Sequence, residues 1–102
     1  MNILDFIKGN GKCKSASGHW FVLTELVDEW YCIKGYLEME NGFRFKCEWD
    51  REGVPRNLPY THGLNLMPVV SITKYKVVDT KELEKYTSVE SFNQEQELKF
   101  SA

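Results

Sequence analysis

The side chains best suited to chemical recognition are concentrated between Asp50 and His62, after a predicted strand and before the next apolar run. Arg51 and Arg56 each offer a planar guanidinium, which binds phosphate or carboxylate through paired hydrogen bonds. The ring of Tyr60 lies in the same stretch, and an aromatic face can stack on a base. Because binding groups collect on loops held by a rigid scaffold, the sequence predicts a ligand or partner site here. The arginines should matter more than His62, since they stay charged at any working pH.

The same stretch also fits a purely structural role. Asp50-Arg51-Glu52-Gly53 has the composition of a type I turn with glycine at its end, and Tyr60 would then close one mouth of a barrel. Outside the loop, Trp30 stands beside two acidic residues in a predicted turn. An exposed tryptophan is a common anchor for a partner, so Trp30 joins the candidate binding residues. Both interpretations of the loop stay open from the sequence.

No pattern in the chain predicts catalysis. The motifs of serine hydrolases, phosphate-cradling loops, zinc proteases and dinucleotide-binding folds do not occur. His62 lies near Asp50 and Glu52, and Cys13 lies near His19, but neither set has a recognised ligand spacing or a third orienting group. We therefore expect no enzymatic activity, no metal and no cofactor.

Composition predicts a single intracellular domain. The chain has 102 residues, 42% of them hydrophobic, and no apolar run approaches the ~18 residues of a membrane helix. A net charge of −2 argues against generic nucleic-acid binding. The three cysteines form no Cys-x-x-Cys pair, which is typical of reduced thiols in a reducing compartment. We expect a cytoplasmic protein with no membrane contact.

Capping and turn residues place the N-terminal elements. Asn2 is the predicted N-cap of a short helix, with Asp5 three residues on, and Gly9 should end it. A turn at Ser17-Gly18 joins two predicted strands. The run Trp20 to Leu23 is apolar on both faces, which indicates a central strand.

The hydrophobic pattern decides the register of the next hairpin. A two-residue Asn41-Gly42 loop would place the apolar residues of its strands on opposite faces, because a slip of one residue reverses every side chain. A three-residue loop, with Gly42 left-handed, places them on one face and turns Cys32 outward. It also aligns opposite charges on the outer face. The predicted pairs are Met39–Phe43, Leu37–Phe45, Gly35–Cys47 and Ile33–Trp49 inside, and Glu38–Arg44 and Lys34–Glu48 outside.

Further strands and two capping signatures complete the expected fold. The apolar run after the loop predicts one or two strands, split or kinked at Pro68 because proline has no N–H for a central strand. Asp79 and Thr87 are predicted N-caps of C-terminal helices. We expect a mainly β (α+β) fold, a small antiparallel SH3-like or OB-like barrel or half-barrel with a short N-terminal helix and a C-terminal helix. Residues 1–86 should form this single domain, and residues 87–102 a loosely docked or disordered acidic tail.

Three short motifs within residues 11–70 resemble a known class of proteins. "GKCKSASGHWFVL", "WDREG" and "LNLMPV" are similar to segments of small β-barrel proteins encoded by bacteriophages, of unknown or anti-defence function. The resemblance implies a phage accessory protein that inhibits a host protein by binding it. One alternative is a sponge that sequesters a phosphate-bearing nucleotide signal through Arg51, Arg56, Tyr60 and Trp30. Another is a structural or assembly protein that forms homo-oligomers through exposed strand edges.

Overall fold

An antiparallel sheet with a helix from each end of the chain forms the framework. The computed structural model describes residues 1–56, 62–70 and 75–100. Its helices are α1 (Ile3–Lys8) and α2 (Val89–Phe100), with short 3-10 segments at Glu40–Gly42, His62–Leu64 and Thr80–Lys85. Its strands are β1 (Cys13–Ser15), β2 (Trp20–Leu26), β3 (Ile33–Glu38), β4 (Arg44–Trp49), β5 (Leu66–Val70) and β6 (Lys76–Val77). They follow the order β4-β3-β2-β1-β5-β6 and curl into a half-barrel, which confirms the predicted mainly β (α+β) class.

The first helix begins and ends as predicted. The Asn2 side chain accepts a hydrogen bond from the Asp5 amide at 2.8 Å, and the Asp5 carboxylate accepts from the Asn2 amide at 3.4 Å, which completes a capping box. Gly9 is the C-cap. The helix therefore turns one apolar face onto the sheet, where its buried residues are Ile3, Phe6 and Ile7.

The hairpin of β3 and β4 has the predicted register. Its pairs are Ile33–Trp49, Lys34–Glu48, Gly35–Cys47, Tyr36–Lys46, Leu37–Phe45 and Glu38–Arg44. The Met39 amide donates to the Phe43 carbonyl at 2.8 Å. Gly42 is left-handed with φ +76°, as expected, and Asn41 is left-handed as well, with φ +71°. Phe43 has the predicted position in the pairing but is 62% exposed, because it lies at the tip beyond the core.

Because Gly35 has no side chain, the ring of Phe21 can lie directly over it. A Cβ on Gly35 would lie 2.3 Å from the Val22 carbonyl oxygen and 2.7 Å from the Phe21 ring. Phe21 instead covers Gly35 and meets Trp49 edge to face, with ring centroids 5.2 Å apart. Trp49 is fully buried, and its indole N–H donates to the Leu64 carbonyl at 2.8 Å.

The predicted break at Pro68 is wrong, because β5 runs straight through it from Leu66 to Val70. The Val78 amide donates to the Pro68 carbonyl at 2.9 Å, so the polar backbone groups of Pro68 face the β6 side of the strand. In an antiparallel strand the N–H and C=O of one residue point the same way. The missing N–H therefore falls beside the end of a two-residue edge strand, where little pairing is lost.

Two local predictions near the strand and helix ends are also wrong. Cys32 is not turned outward but is 8% exposed in the core cluster, because it precedes β3 and does not follow that strand's alternation. Thr87 does not cap α2. Ser88 does, since its hydroxyl accepts the Ser91 amide at 3.1 Å. Asp79 caps as predicted, but the segment that it starts is a 3-10 helix.

The segment predicted as an acidic tail contains α2. Phe92 of this helix is fully buried and packs edge to face on Phe6 and Tyr86, at centroid distances of 5.2 and 5.5 Å. Leu98, two turns further, is 72% exposed. The first turns of α2 thus complete the core under the sheet, while the division of the chain at residue 86 stays a prediction.

Candidate functional site

The first half of the predicted binding loop is a tightly hydrogen-bonded turn. The Asp50 carboxylate accepts the amides of Glu52 at 2.9 Å and Val54 at 3.0 Å, and the Gly53 amide donates to the Asp50 carbonyl at 2.9 Å. Gly53 takes the left-handed conformation, with φ +82°. This is the turn that the structural interpretation of Asp50–Gly53 predicts.

The backbone of this loop joins three other elements of the fold. The Leu4 amide of α1 donates to the Arg51 carbonyl at 3.1 Å, and the Leu66 amide of β5 donates to the Gly53 carbonyl at 2.9 Å. Pro55 forms an isolated bridge with Trp49 of β4. Residues 50–56 therefore brace the helix against the sheet. The Arg51 side chain is exposed, so the brace uses its backbone and leaves the guanidinium at the surface.

Arg56 lies in an ion triad on the outer face of the sheet. Its Nη1 contacts Glu48 Oε1 at 2.7 Å, and Lys34 Nζ contacts the other oxygen of that carboxylate at 3.2 Å. The hydrogen bond from Arg56, followed by that from Lys34, holds the pKa of Glu48 below its usual value. The hydrogen bond to Glu48 in turn raises the pKa of Lys34. The Arg56 guanidinium also lies over the Tyr31 ring, 5.4 Å from its centroid.

This triad borders a cleft of about 610 Å³ over strands β2, β3 and β4. The charged residues of its lining are Lys34, Lys46, Arg56, Glu25 and Glu48. An incoming phosphate or carboxylate would have to compete with Glu48 for two of the three cations. Arg56 remains able to recognise a ligand, since its side chain is 48% exposed and a guanidinium has five donors.

The remaining predicted site residues divide between described and undescribed parts of the chain. Tyr60 lies outside the described residues, and so does the side chain of His62, whose backbone begins the His62–Leu64 segment. Trp30 lies in the connection from β2 to β3 and is 71% exposed, as an anchoring aromatic should be. Arg56 stacks on Tyr31, the neighbour of Trp30. A joint binding role for Trp30, Arg51, Arg56, Tyr60 and His62 stays a prediction.

Sequence reasoning overlooked the edge of β2. Within the described residues, β1 pairs with β2 only at Lys14 and Trp20, although β2 continues to Leu26. A bulge between Leu23 and Glu25 shifts the pairing with β3. Because of this extra residue, Leu23 and Leu26 lie on the same face, three positions apart. Leu23 is 41% exposed and Leu26 is 36% exposed, so β2 is central in strand order but not buried as a central strand.

We call Leu23, Leu26 and Trp30 the β2-edge surface. The two leucines lie along a strand segment that β1 does not pair, and the tryptophan follows in the connection to β3. Two leucines at i and i+3 within a strand are the sequence signal of such a surface, because regular alternation would place them on opposite faces.

The comparisons with known proteins supply no relative. No family model matches the chain, and neither the curated proteins nor the solved structures give a match. Among residues 1–56, 62–70 and 75–100, no helix is long and apolar enough to cross a membrane. The same ranges contain no group of three or more His, Cys, Asp or Glu side chains arranged to hold a metal ion.

Proposed function

We propose that this chain is a non-enzymatic binding protein that docks on a protein partner through the β2-edge surface. The observation that carries the proposal is the exposure of Leu23, Leu26 and Trp30, at 41%, 36% and 71%, along and beside a stretch of β2 that β1 does not pair. Single exposed apolar residues are common on proteins. Three of them along and just after a strand whose second edge has no partner strand beyond Trp20 among the described residues are better explained by a partner.

An open strand edge offers a partner backbone hydrogen bonds as well as apolar contact. A partner strand that pairs with an edge gains main-chain hydrogen bonds, and the side chains on either face add specificity. The bulge at Leu23–Glu25 restricts regular pairing to a short stretch, which disfavours indiscriminate association through the same edge. Trp30 would supply the anchor, since tryptophan is enriched among the residues that dominate binding energies.

The nature of the partner is proposed from the resemblance of residues 11–70 to small phage β-barrel proteins. On that basis the chain is an accessory or anti-defence protein of phage origin, acting in the cytoplasm of the host on a host protein. A protein of this kind needs a stable scaffold and an accessible surface rather than a reaction centre. The braced half-barrel and the β2-edge surface fit that requirement.

Variants on the β2-edge surface test the proposal. Trp30→Ala should weaken a purified complex by about 2 kcal/mol or more, which is about thirtyfold in Kd. Phe43→Ala is the matched control, because Phe43 is also a large apolar residue, 62% exposed, at the opposite end of the β3 strand. Proteins that co-purify from infected host cells would be compared by quantitative mass spectrometry for the wild type and both variants, and the affinity of each specific partner then measured.

Three outcomes are informative. A host protein retained by the wild type and Phe43→Ala but lost with Trp30→Ala, at unchanged thermal stability, supports the proposal. Equal retention by both variants contradicts it. A concentration-dependent increase in the mass of the isolated protein, abolished by Trp30→Ala, would instead favour the assembly alternative through the same surface.

A further inference from the structure

A second cleft, separate from the Arg56 triad, opens where β1 and β2 diverge. It has a volume of about 610 Å³ and lies between the chain at Asn10–Cys13 and the first half of β2. Asn10 is left-handed, with φ +66°, and Gly11 packs so closely on the Phe6 ring that a Cβ would lie 2.5 Å from it. These contacts hold the Asn10–Cys13 segment on α1 and away from β2, so the fold itself keeps the cleft open.

Two aromatic rings form one wall of this cleft. Trp20 and Tyr75 meet edge to face, with centroids 5.3 Å apart and an interplanar angle of 84°. Tyr75 has a φ of +42°, a conformation that bulky residues rarely adopt and that is often found at binding sites. Its side chain is nonetheless 48% exposed, so burial does not account for its placement.

Two lysines bring positive charge to the aromatic wall: Lys12 belongs to the lining of the cleft, and Lys14 lies outside the lining but against the Trp20 ring. Lys12 Nζ lies over the Tyr75 ring at 5.2 Å, and Lys14 Nζ lies over the Trp20 ring at 4.5 Å. Neither ammonium forms a salt bridge with a carboxylate of the described residues, in contrast to Lys34 and Arg56 on the other cleft. Lysine stems are flexible, and both ammonium groups can move from a ring face to a nearby anion.

Glu38 supplies the one acidic side chain in the lining of this cleft. In the sheet it is the cross-strand neighbour of Trp20 on one side and of Arg44 on the other, so it is adjacent to the aromatic wall. A carboxylate next to a stacking surface accepts hydrogen bonds from the amino group of a base. The cleft thus combines two aromatic rings, a carboxylate acceptor and two nearby lysines that form no salt bridge within the described residues.

From this arrangement we propose that the cleft binds a planar aromatic anion such as a nucleoside monophosphate. The ring would lie against Trp20 and Tyr75, an amino group of the ring would donate to Glu38, and the phosphate would be held by Lys12 and Lys14. A volume of about 610 Å³ falls in the range of small-molecule sites. The site goes beyond the protein-docking function and uses none of the residues Arg51, Arg56 or Trp30, although Leu23 of the β2-edge surface also lines the cleft.

Isothermal titration with GMP and UMP tests the proposal on the intact chain. GMP should bind the wild type, and the double variant Lys12→Ala/Lys14→Ala should bind it about tenfold to a hundredfold more weakly, the loss expected for a charge-assisted contact. Lys46→Ala is the matched control, because Lys46 is an exposed lysine of β4, which β2 and β3 separate from the strand of Lys14. Guanosine and inorganic phosphate, each supplying half of the ligand, should bind more weakly than GMP.

The acceptor role of Glu38 gives a specificity test. The wild type should prefer GMP to UMP, because uracil has no exocyclic amino group, and Glu38→Gln should reduce that preference. A short single-stranded oligonucleotide of guanosine in the same titration distinguishes a free nucleotide from a strand of nucleic acid as the natural source. Absence of GMP binding at about 1 mM, or equal weakening by Lys46→Ala and the double variant, would overturn the proposal.

Discussion

Replacing Gly53 with alanine tests whether the loop from Asp50 to Arg56 is a structural brace. Gly53 has a φ of +82°, and an added Cβ would lie 3.0 Å from the Leu66 carbonyl oxygen and 3.2 Å from Ile3 Cγ1. These neighbours belong to β5 and α1, the two elements that the loop holds together. Any shift that relieves the crowding therefore disturbs the bond from the Leu66 amide to the Gly53 carbonyl.

The expected loss has two parts. The left-handed conformation destabilises a non-glycine residue by about 1–2 kcal/mol, and overpacking of a filled site adds about 1–3 kcal/mol. Gly53→Ala should therefore lower the free energy of unfolding by about 2–5 kcal/mol. Gly42 provides the control, since its φ is +76° but no atom lies within 4 Å of an added Cβ. Gly42→Ala should lose only about 1–2 kcal/mol.

Urea unfolding, followed by the fluorescence of the buried Trp49, measures both losses under the same conditions. The difference between the two losses no longer contains the cost of the left-handed backbone, because both glycines have that conformation. Equal losses for Gly53→Ala and Gly42→Ala would refute the brace, since crowding between the loop, α1 and β5 would then contribute nothing.

Four further predictions follow from individual contacts. Burial raises the pKa of the Cys13 thiol from 9.0 to about 12. The folded state therefore binds more protons above pH 9, so wild-type stability should fall with rising pH more steeply than that of Cys13→Ala, by up to about 1.4 kcal/mol per pH unit. Because the pKa of Glu48 is lowered in the fold, its contribution is present above the unfolded value of 4.5 and lost as pH falls through the folded pKa. The stability difference between wild type and Glu48→Gln in urea should accordingly shrink on acidification. Ser88→Ala should lose about 1 kcal/mol through its cap, whereas Thr87→Ala should lose almost nothing in the same assay. Arg51→Ala should change stability by no more than about 0.5 kcal/mol in thermal unfolding, because only its backbone is used in the brace.

The sequence predicted best where two independent patterns agreed. The register of the β3–β4 hairpin satisfied both the apolar face and the opposite charges of Lys34 and Glu48, and the structure has that register. The Asn2 capping box was equally clear, because its residues are close in sequence and their hydrogen bonds are local. Local chemistry and strand alternation thus specified most of the framework.

The sequence did not predict the features that depend on how distant strands pair. Whether Pro68 breaks a strand depends on which neighbour its nitrogen faces, and that is decided by the position of β6. The exposure of Leu23 depends on β1 ending its pairing with β2 at Trp20, which the i, i+3 spacing of Leu23 and Leu26 does not by itself reveal. The cleft beside Trp20 has the same origin, since Tyr75 reaches it from a distant part of the chain.

For the loop from Asp50 to His62, the sequence showed which residue types could bind a ligand but not which residues they contact. Arg56 is a candidate in both sequence and structure, but its engagement by Glu48 and Tyr31 comes from β4 and from the β2–β3 connection. A guanidinium with such neighbours can support the fold, bind a ligand, or do both. The stability of Arg56→Ala and its effect on partner binding, measured together, separate these roles of Arg56.

Hydrogen exchange of the protein with and without its partner tests docking at the β2 edge most directly. Amides of residues 22–26 that point away from β3 have no β1 strand beside them, so they should exchange rapidly in the free protein and slow markedly in the complex. Amides on the outer edge of β4 (Arg44–Trp49), the matched strand at the end of the sheet, should be unchanged. Protection confined to residues 50–56, with residues 22–26 exchanging as fast as in the free protein, would contradict docking at the β2 edge and move the partner site to the loop.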